Sequence, residues 1–398
     1  MGSMLRRGAI SGDGATLSLD FTTGTLDPLL TFSRSSSGTF VGGNGLVQTA
    51  GTNVTRFEYD TNGNPLGVKL EPSATNLLVH TERLDDAQVS TEQYWVTAYS
   101  IVGSTNGITG PDGVTNSATQ FAPLAGNGTC IASAAMGTSA LRNFSFWAKQ
   151  SSGSTNLEYT LNNGSTWVSV ATASSWQRFT IAATTEAQRV GFRFAANNIY
   201  EIWGCQLEAG YIPTSYVKNV SAAGGATRSS DYLECAGANM ATWFTAGSAY
   251  TLLFKYRMNS PTLWAGTSVD RAIGQLSTTG SSNRTYMYAA YRTTDGAADV
   301  GRQVRAFDDG TLSLLPAIAD MPAAASNNAF AIAVNTNDAA MCGSNQFINT
   351  DTSCTIMPSQ NRLNIGMIGG GQVLNGWITL VKYWPLRLPN TTMQGLVQ

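Results

Sequence analysis

The sequence predicts an all-β protein built from two antiparallel β-sandwich domains behind an extended N-terminal segment. Three observations carry this. Forty-one glycines punctuate short segments rich in Val, Ile, Thr, Phe, Tyr and Trp across 398 residues. Apolar residues alternate with period two, as in Val190, Phe192 and Phe194 or in Tyr250, Leu252, Phe254 and Tyr256. Dipeptides that accept positive φ separate the runs: Asn62-Gly63, Asp112-Gly113, Asn127-Gly128, Asn163-Gly164, Asp295-Gly296 and Asp309-Gly310.

In chain order, residues 1–75 form the extended segment. It has strand-like pieces at Leu17 to Phe21 and Thr39 to Val47, with too little apolar content for a core of its own, so its edges need a partner. The first sandwich is expected over 76–220, its strand pattern clear from Tyr94-Trp95 to Val217. Leu77 to Val79 reads as a strand with His80 at its end, and Trp203, Cys205 and Leu207 share one face of another. Small residues from Ser221 to Ala226 make a joint, and the second sandwich runs over 226–398. Helical periodicity is confined to the end, where Asn390 is expected to cap a turn bearing Met393, Leu396 and Val397.

Composition narrows the function. Charged residues make up 12% of the chain, against roughly 25% in an ordinary soluble domain. Forty-seven threonines nearly match the 48 charged side chains, so hydroxyls and amides carry solubility. A net charge of -2, with no cationic cluster beyond Arg6-Arg7, excludes a nucleic-acid binder that works by phosphate neutralisation. Apolar runs are only strand length, so no helix crosses a membrane. The single histidine, His80, leaves no multi-imidazole metal site and lacks a nucleophile motif around it. Five cysteines, an odd number without a Cys-x-x-Cys pair, suit a protein folded in a reducing cytoplasm. Buried thiols are expected, with a Cys342–Cys354 bridge as the other reading. Met1 to Ala9 has no apolar core of a secretory signal.

Three stretches carry a resemblance. The first is Thr31-Phe32-Ser33-Arg34-Ser35-Ser36-Ser37-Gly38-Thr39-Phe40-Val41, with Gly45-Leu46-Val47-Gln48, Arg56-Phe57-Glu58-Tyr59-Asp60 and Glu71-Pro72-Ser73-Ala74-Thr75-Asn76-Leu77-Leu78. The second is Trp203-Gly204-Cys205-Gln206-Leu207-Glu208-Ala209-Gly210 with Pro213-Thr214-Ser215-Tyr216. The third runs from Leu374-Asn375-Gly376-Trp377-Ile378 to Pro389-Asn390-Thr391. The chain resembles phage virion fibre proteins of the tail-fibre and head-fibre kind. The resemblance implies a carbohydrate-binding-module-like jelly roll, then a concanavalin-like or laminin-G-like sandwich, both lectin-like. It further implies a non-enzymatic virion protein assembled in the bacterial host cytoplasm. Its N-terminal segment would meet other virion proteins, its sandwiches would meet host surface glycan, and it would be a homotrimer. No cofactor is expected. The alternative is a tail-associated glycan depolymerase, a glycoside hydrolase or lyase.

Glycan recognition needs an exposed ring flanked by hydrogen-bonding side chains. Trp167, after Asn162 and Asn163 in a surface turn, is the leading candidate. Trp264 and the trio Tyr286, Tyr288 and Tyr291 follow. Phe144, Phe146, Trp147, Trp176 and Trp203 read as core. Asp85-Asp86 and Asp308-Asp309 are adjacent pairs, whereas a glycosidase needs two carboxyls converging across a cleft, so no catalytic residue is assigned and Asp308-Asp309-Gly310 reads as a hairpin. A calcium site at Asp308, Asp309 or Asp351 finds no supporting ligand spacing, and Gly369-Gly370-Gly371 lacks the lysine of a phosphate loop.

Overall fold

The computed structural model describes residues 13–85, 95–98, 103–104, 106–132, 140–185, 189–220, 224–259, 269–279, 283–292, 301–314, 328–344, 347–368 and 372–398. Its architecture is all-β, made of several antiparallel sheets. The chain divides into two compact units. One comprises Met1–Ser35, Ala50–Pro72 and Ser229–Gln398; the other comprises Ser36–Thr49 and Ser73–Arg228. Residues 13–75, expected to precede the domains as an extended segment, instead supply strands to both units.

In the unit that contains the C-terminus, an eight-stranded sheet runs in the order Ile348–Asp351, Asp338–Gly343, Asn328–Asn335, Tyr250–Met258, Gly376–Trp384, Pro65–Leu70, Phe57–Tyr59, and Leu17–Asp20 also pairs with Gly376–Trp384. A seven-stranded sheet begins with Thr31–Ser33 against Tyr232–Ala236 and ends at Ser313–Leu314. Tyr250, Leu252, Phe254 and Tyr256 are buried on one face of their strand, as their alternation predicts. Leu253, on the opposite face, is buried too, because the C-terminal helix Asn390–Leu396 brings Met393 and Val397 into a cluster with Leu253, Ala331, Ala333 and Trp384. The cap of that helix is Pro389 rather than Asn390, which makes Asn390 the first helical residue.

The early strands are secured by charge. Asp231 Oδ1 accepts from Arg34 Nη1 at 3.1 Å and its Oδ2 from Arg56 Nη2 at 2.5 Å, while Arg56 Nη1 reaches Glu71 Oε2 at 2.6 Å; all four side chains are fully buried. Lys69 Nζ lies 2.6 Å from Glu58 Oε2, which also accepts from Trp377 Nε1 at 2.7 Å. Burial alone would lower the Arg56 pKa, but Glu71 and Asp231 outweigh it and raise it. Arg34, Arg56, Glu58 and Glu71 themselves are therefore internal structure of this unit.

The second unit has two five-stranded sheets. One runs Gln177–Thr184, Arg142–Ser152, Ile199–Ala209, Thr119–Phe121, Gly103–Ser104; the other runs Val168–Val170, Leu157–Thr160, Gly191–Phe194, Gly128–Ala132, Trp95–Ala98. Both sheets contribute to one aromatic core, where Phe146 meets Phe192 edge-on at 4.8 Å and Phe121 stacks on Phe194 at 4.4 Å. Cys205 and Leu207 join this core, but Trp203 does not. Gly204, at φ +63°, breaks the alternation, and the register with Arg142–Ser152 shifts there. Trp203 then packs with Tyr216, Val47 and Ala118 in a separate cluster, flanked by the partly buried Trp147 and Trp176. The strand expected at Leu77 to Val79 lies earlier, at Ala74–Asn76, and His80 adopts a left-handed conformation, φ +50°.

The segment Gln206 to Tyr216 closes this unit through polar contacts. Glu208 accepts from Thr214 N at 2.9 Å, Thr214 Oγ1 at 2.6 Å and Gln206 Nε2 at 2.7 Å, and Asn76 Nδ2 donates to the Cys205 and Val217 carbonyls. All five cysteines are free and buried, so Cys342 and Cys354 do not bridge.

Replacing Asp231 by Asn leaves Arg34 and Arg56 buried with one carboxylate too few. A loss of about 3–5 kcal/mol is expected in urea denaturation of the full chain; a loss below about 1 kcal/mol would show that the pairs are not holding the early strands.

Candidate functional site

Trp167 sits at the end of the turn between strands Leu157–Thr160 and Val168–Val170. Asn163 and Gly164 both take positive φ, +59° and +80°, the pairing a tight hairpin requires. Thr160 Oγ1 accepts from the backbone N–H of Gly164 at 2.9 Å and of Asn162 at 3.2 Å. Asn162 Oδ1 accepts from Thr166 N at 2.9 Å, and its Nδ2 donates to Thr166 Oγ1 at 3.0 Å. The Asn162 amide is thus engaged within the turn. Asn163 is exposed and accepts from Arg189 Nη1 at 3.4 Å.

The Trp167 side chain is half-buried. The Arg193 guanidinium lies over its ring, 4.9 Å from the centroid. Glu158 holds Arg193 with both oxygens, Nε to Oε2 at 2.5 Å and Nη2 to Oε1 at 2.8 Å. This hydrogen-bonded pairing raises the Arg193 pKa, so the group stays charged. Strand parity explains the arrangement. Phe192 and Phe194 point into the core, which sends Arg193 to the outer face, and register places Glu158 beside it. Gly164 lets the ring lie close, since a Cβ there would come within 3.1 Å of Trp167 Cζ2 and 3.6 Å of Ile131 Cδ1. The result is a half-buried aromatic ring with a fixed ion pair whose guanidinium lies over it.

Tyr286 belongs to the other unit, partly buried against Ala272 and Ile368, with Arg284 5.2 Å over its ring and its hydroxyl 3.4 Å from Asp309 Oδ1. Trp264, Asp86, Gly369-Gly370-Gly371 and the side chains of Tyr288 and Tyr291 lie outside the described residues. Asp308 Oδ1 accepts from the N–H of Gly310 and Leu312, and Asp309 pairs with Arg284, so this pair builds the turn. Asp351 accepts from Ser353, and no group of three metal-ligating side chains occurs among the described residues.

Sequence reading passed over Arg193 and Glu158, although the Val190, Phe192, Phe194 alternation already marks Arg193 as outward. It also passed over Glu82, which carries no motif. Glu82 is 4% exposed and bonded to Lys218 Nζ at 2.7 Å. Burial raises its pKa, and Asp112 adds to the rise. Asp112 itself accepts from Ser117 Oγ at 2.7 Å.

Solved structures similar to the chain include the following two. Domain 4 of AbnA, a GH43 extracellular arabinanase from Geobacillus stearothermophilus solved in complex with arabinotriose, is 9% identical over 47% of this chain and 82% of its own, with a TM-score of 0.30. Domains LG4-5 of the mouse laminin α1 chain are 8% identical over 81% of this chain and 95% of their own, with a TM-score of 0.21. No protein family matches the sequence, and no curated protein matches it.

Because the folded Glu82 carboxyl keeps its proton where the unfolded chain has lost it, its stabilising contribution is greatest in acid and declines as pH rises through the ordinary carboxylate value of 4.5. Melting temperature against pH should therefore fall more steeply above that value in the parent than in Glu82→Gln. Parallel curves would contradict the assignment.

Proposed function

We propose that the chain is a glycan-binding protein whose ligand lies on the outer sheet face around Trp167. The observation that carries this reading is the half-buried Trp167 ring, fixed beside the bidentate Glu158–Arg193 pair and backed by a packed aromatic core. A ring stacks on the apolar face of a sugar, and the charged pair offers donors and acceptors to its hydroxyls. The units are read as lectin-like jelly rolls, supported in the second unit by two antiparallel sheets that share one core.

In this reading the protein is a virion fibre or decoration subunit that meets host surface glycan. The three resembling stretches support it, as do the sparse charge and the five unbridged thiols. Assembly in the host cytoplasm, attachment to other virion proteins and a homotrimer belong to the same proposal.

A second reading, a glycan depolymerase, draws on Glu82. Glycan hydrolysis requires one carboxyl held protonated and a second carboxylate near it, and Glu82 with Asp112 supplies a raised carboxyl influenced by another.

Incubating the full chain with bacterial surface polysaccharide separates the readings. Binding without new reducing ends is expected. Trp167→Ala should weaken it about tenfold, the loss of one stacking contact, while the melting temperature moves by no more than about 4 °C. Reducing ends that vanish in Glu82→Gln would favour the depolymerase. Unchanged binding by Trp167→Ala would remove this face from the account.

A further inference from the structure

The same face holds a second cation. Arg189 lies four residues before Arg193, just ahead of the strand Gly191–Phe194. An isolated bridge pairs Arg189 with Asn162, and its carbonyl accepts from Asn163 N at 2.9 Å, which fixes it against the turn that carries Trp167. Midway between the two arginines is Gly191, paired with Thr160. A Cβ there would come within 2.6 Å of the Cys130 carbonyl oxygen and 2.8 Å of Ile131 Cγ1. The strands therefore approach closely, and the Ile131 side chain covers Gly191 between the two arginines.

Their charges are balanced differently. Arg193 is matched by Glu158 through two hydrogen bonds. Arg189 has the amide oxygen of Asn163 at 3.4 Å, its Nε is buried without a hydrogen-bond partner, and no carboxylate pairs with it among the described residues. Among the described residues the face thus carries one cation more than its anions, in a chain whose net charge is -2. A neutral glycan gives such a cation only hydroxyls; a carboxylate or phosphate group gives it a bidentate, charge-assisted partner.

We infer that the glycan bound at the Trp167 face is acidic, with an anionic group on one sugar meeting Arg189 while another sugar of the chain stacks on Trp167. This rests on the glycan-binding reading of that face. Uronate carboxylates and phosphodiesters share the required chemistry. With Gly191 and the Ile131 side chain between the two arginines, the two contacts are assigned to different sugars of an extended chain rather than to one ring.

The test is calorimetric titration of the full chain with three probes: hexagalacturonate, its fully methyl-esterified counterpart, and a poly(glycerol phosphate) oligomer. At low salt one of the acidic probes should bind about tenfold more tightly than the neutral ester, with the advantage shrinking as salt rises. Whichever acidic probe leads identifies carboxylate or phosphate as the recognised group. Arg189→Gln should remove about three- to tenfold of that advantage, Arg189→Lys, which keeps the charge without the bidentate fork, should restore only part of it, and binding of the ester should change less than binding of the leading acid. Trp167→Ala should weaken every probe. If the ester binds as tightly as both acids and Arg189→Gln changes nothing while Trp167→Ala still weakens binding, the acidic inference falls and the glycan-binding face stands. If Trp167→Ala changes no probe, or none binds, both fall.

Discussion

One carboxylate, Asp231, joins parts of the chain that are far apart in sequence. It is shared by Arg34 and Arg56, and Arg56 in turn holds Glu71. Each of these groups would be strongly unfavourable alone in a dry interior, so the network is stable only when complete. That makes it a specificity device: strands Thr31–Ser33, Phe57–Tyr59 and Pro65–Leu70 enter their sheets with the chemistry that seals them. Lys69, Glu58 and Trp377 extend the network to the strand Gly376–Trp384.

The second unit reaches the same end with hydrogen bonds to Asn76, Gln206 and Glu208 around an aromatic core. Consequences run outward from that core. Phe192 and Phe194 pin the strand that carries Arg193, register places Glu158 beside it, and the turn built by Thr160 and Asn162 delivers Trp167 under the guanidinium. A site whose members are each fixed by packing or by a second hydrogen bond loses little freedom on binding, which suits recognition of a flexible polysaccharide.

What was legible in the sequence was whatever follows from period two and from turn chemistry. The alternation around Phe192 and Tyr250 and the Asn163-Gly164 turn appear as read. Legibility ends where one residue changes the count. Gly204 throws Trp203 out of the face shared by Cys205 and Leu207, and nothing in the local composition announces it. Apolar content also misleads for the first 75 residues: their strands are held partly by buried ion pairs, which hydrophobicity counts against burial. At the candidate site, the ring could be found by its position after a turn, but the role of Asn162 depends on hydrogen bonds that residue type leaves open. Glu82 needs the whole unit around it before its burial is evident.

The central claim is that ligand meets the chain at the face formed by Glu158, Trp167 and Arg193. Hydrogen exchange of the full chain, with and without host surface polysaccharide, tests it most directly. Slower exchange is predicted in peptides covering 158–169 and 189–194, with 229–398 unchanged. Protection that appears only in 284–292, or binding that leaves 158–169 exchanging as before, would contradict the account.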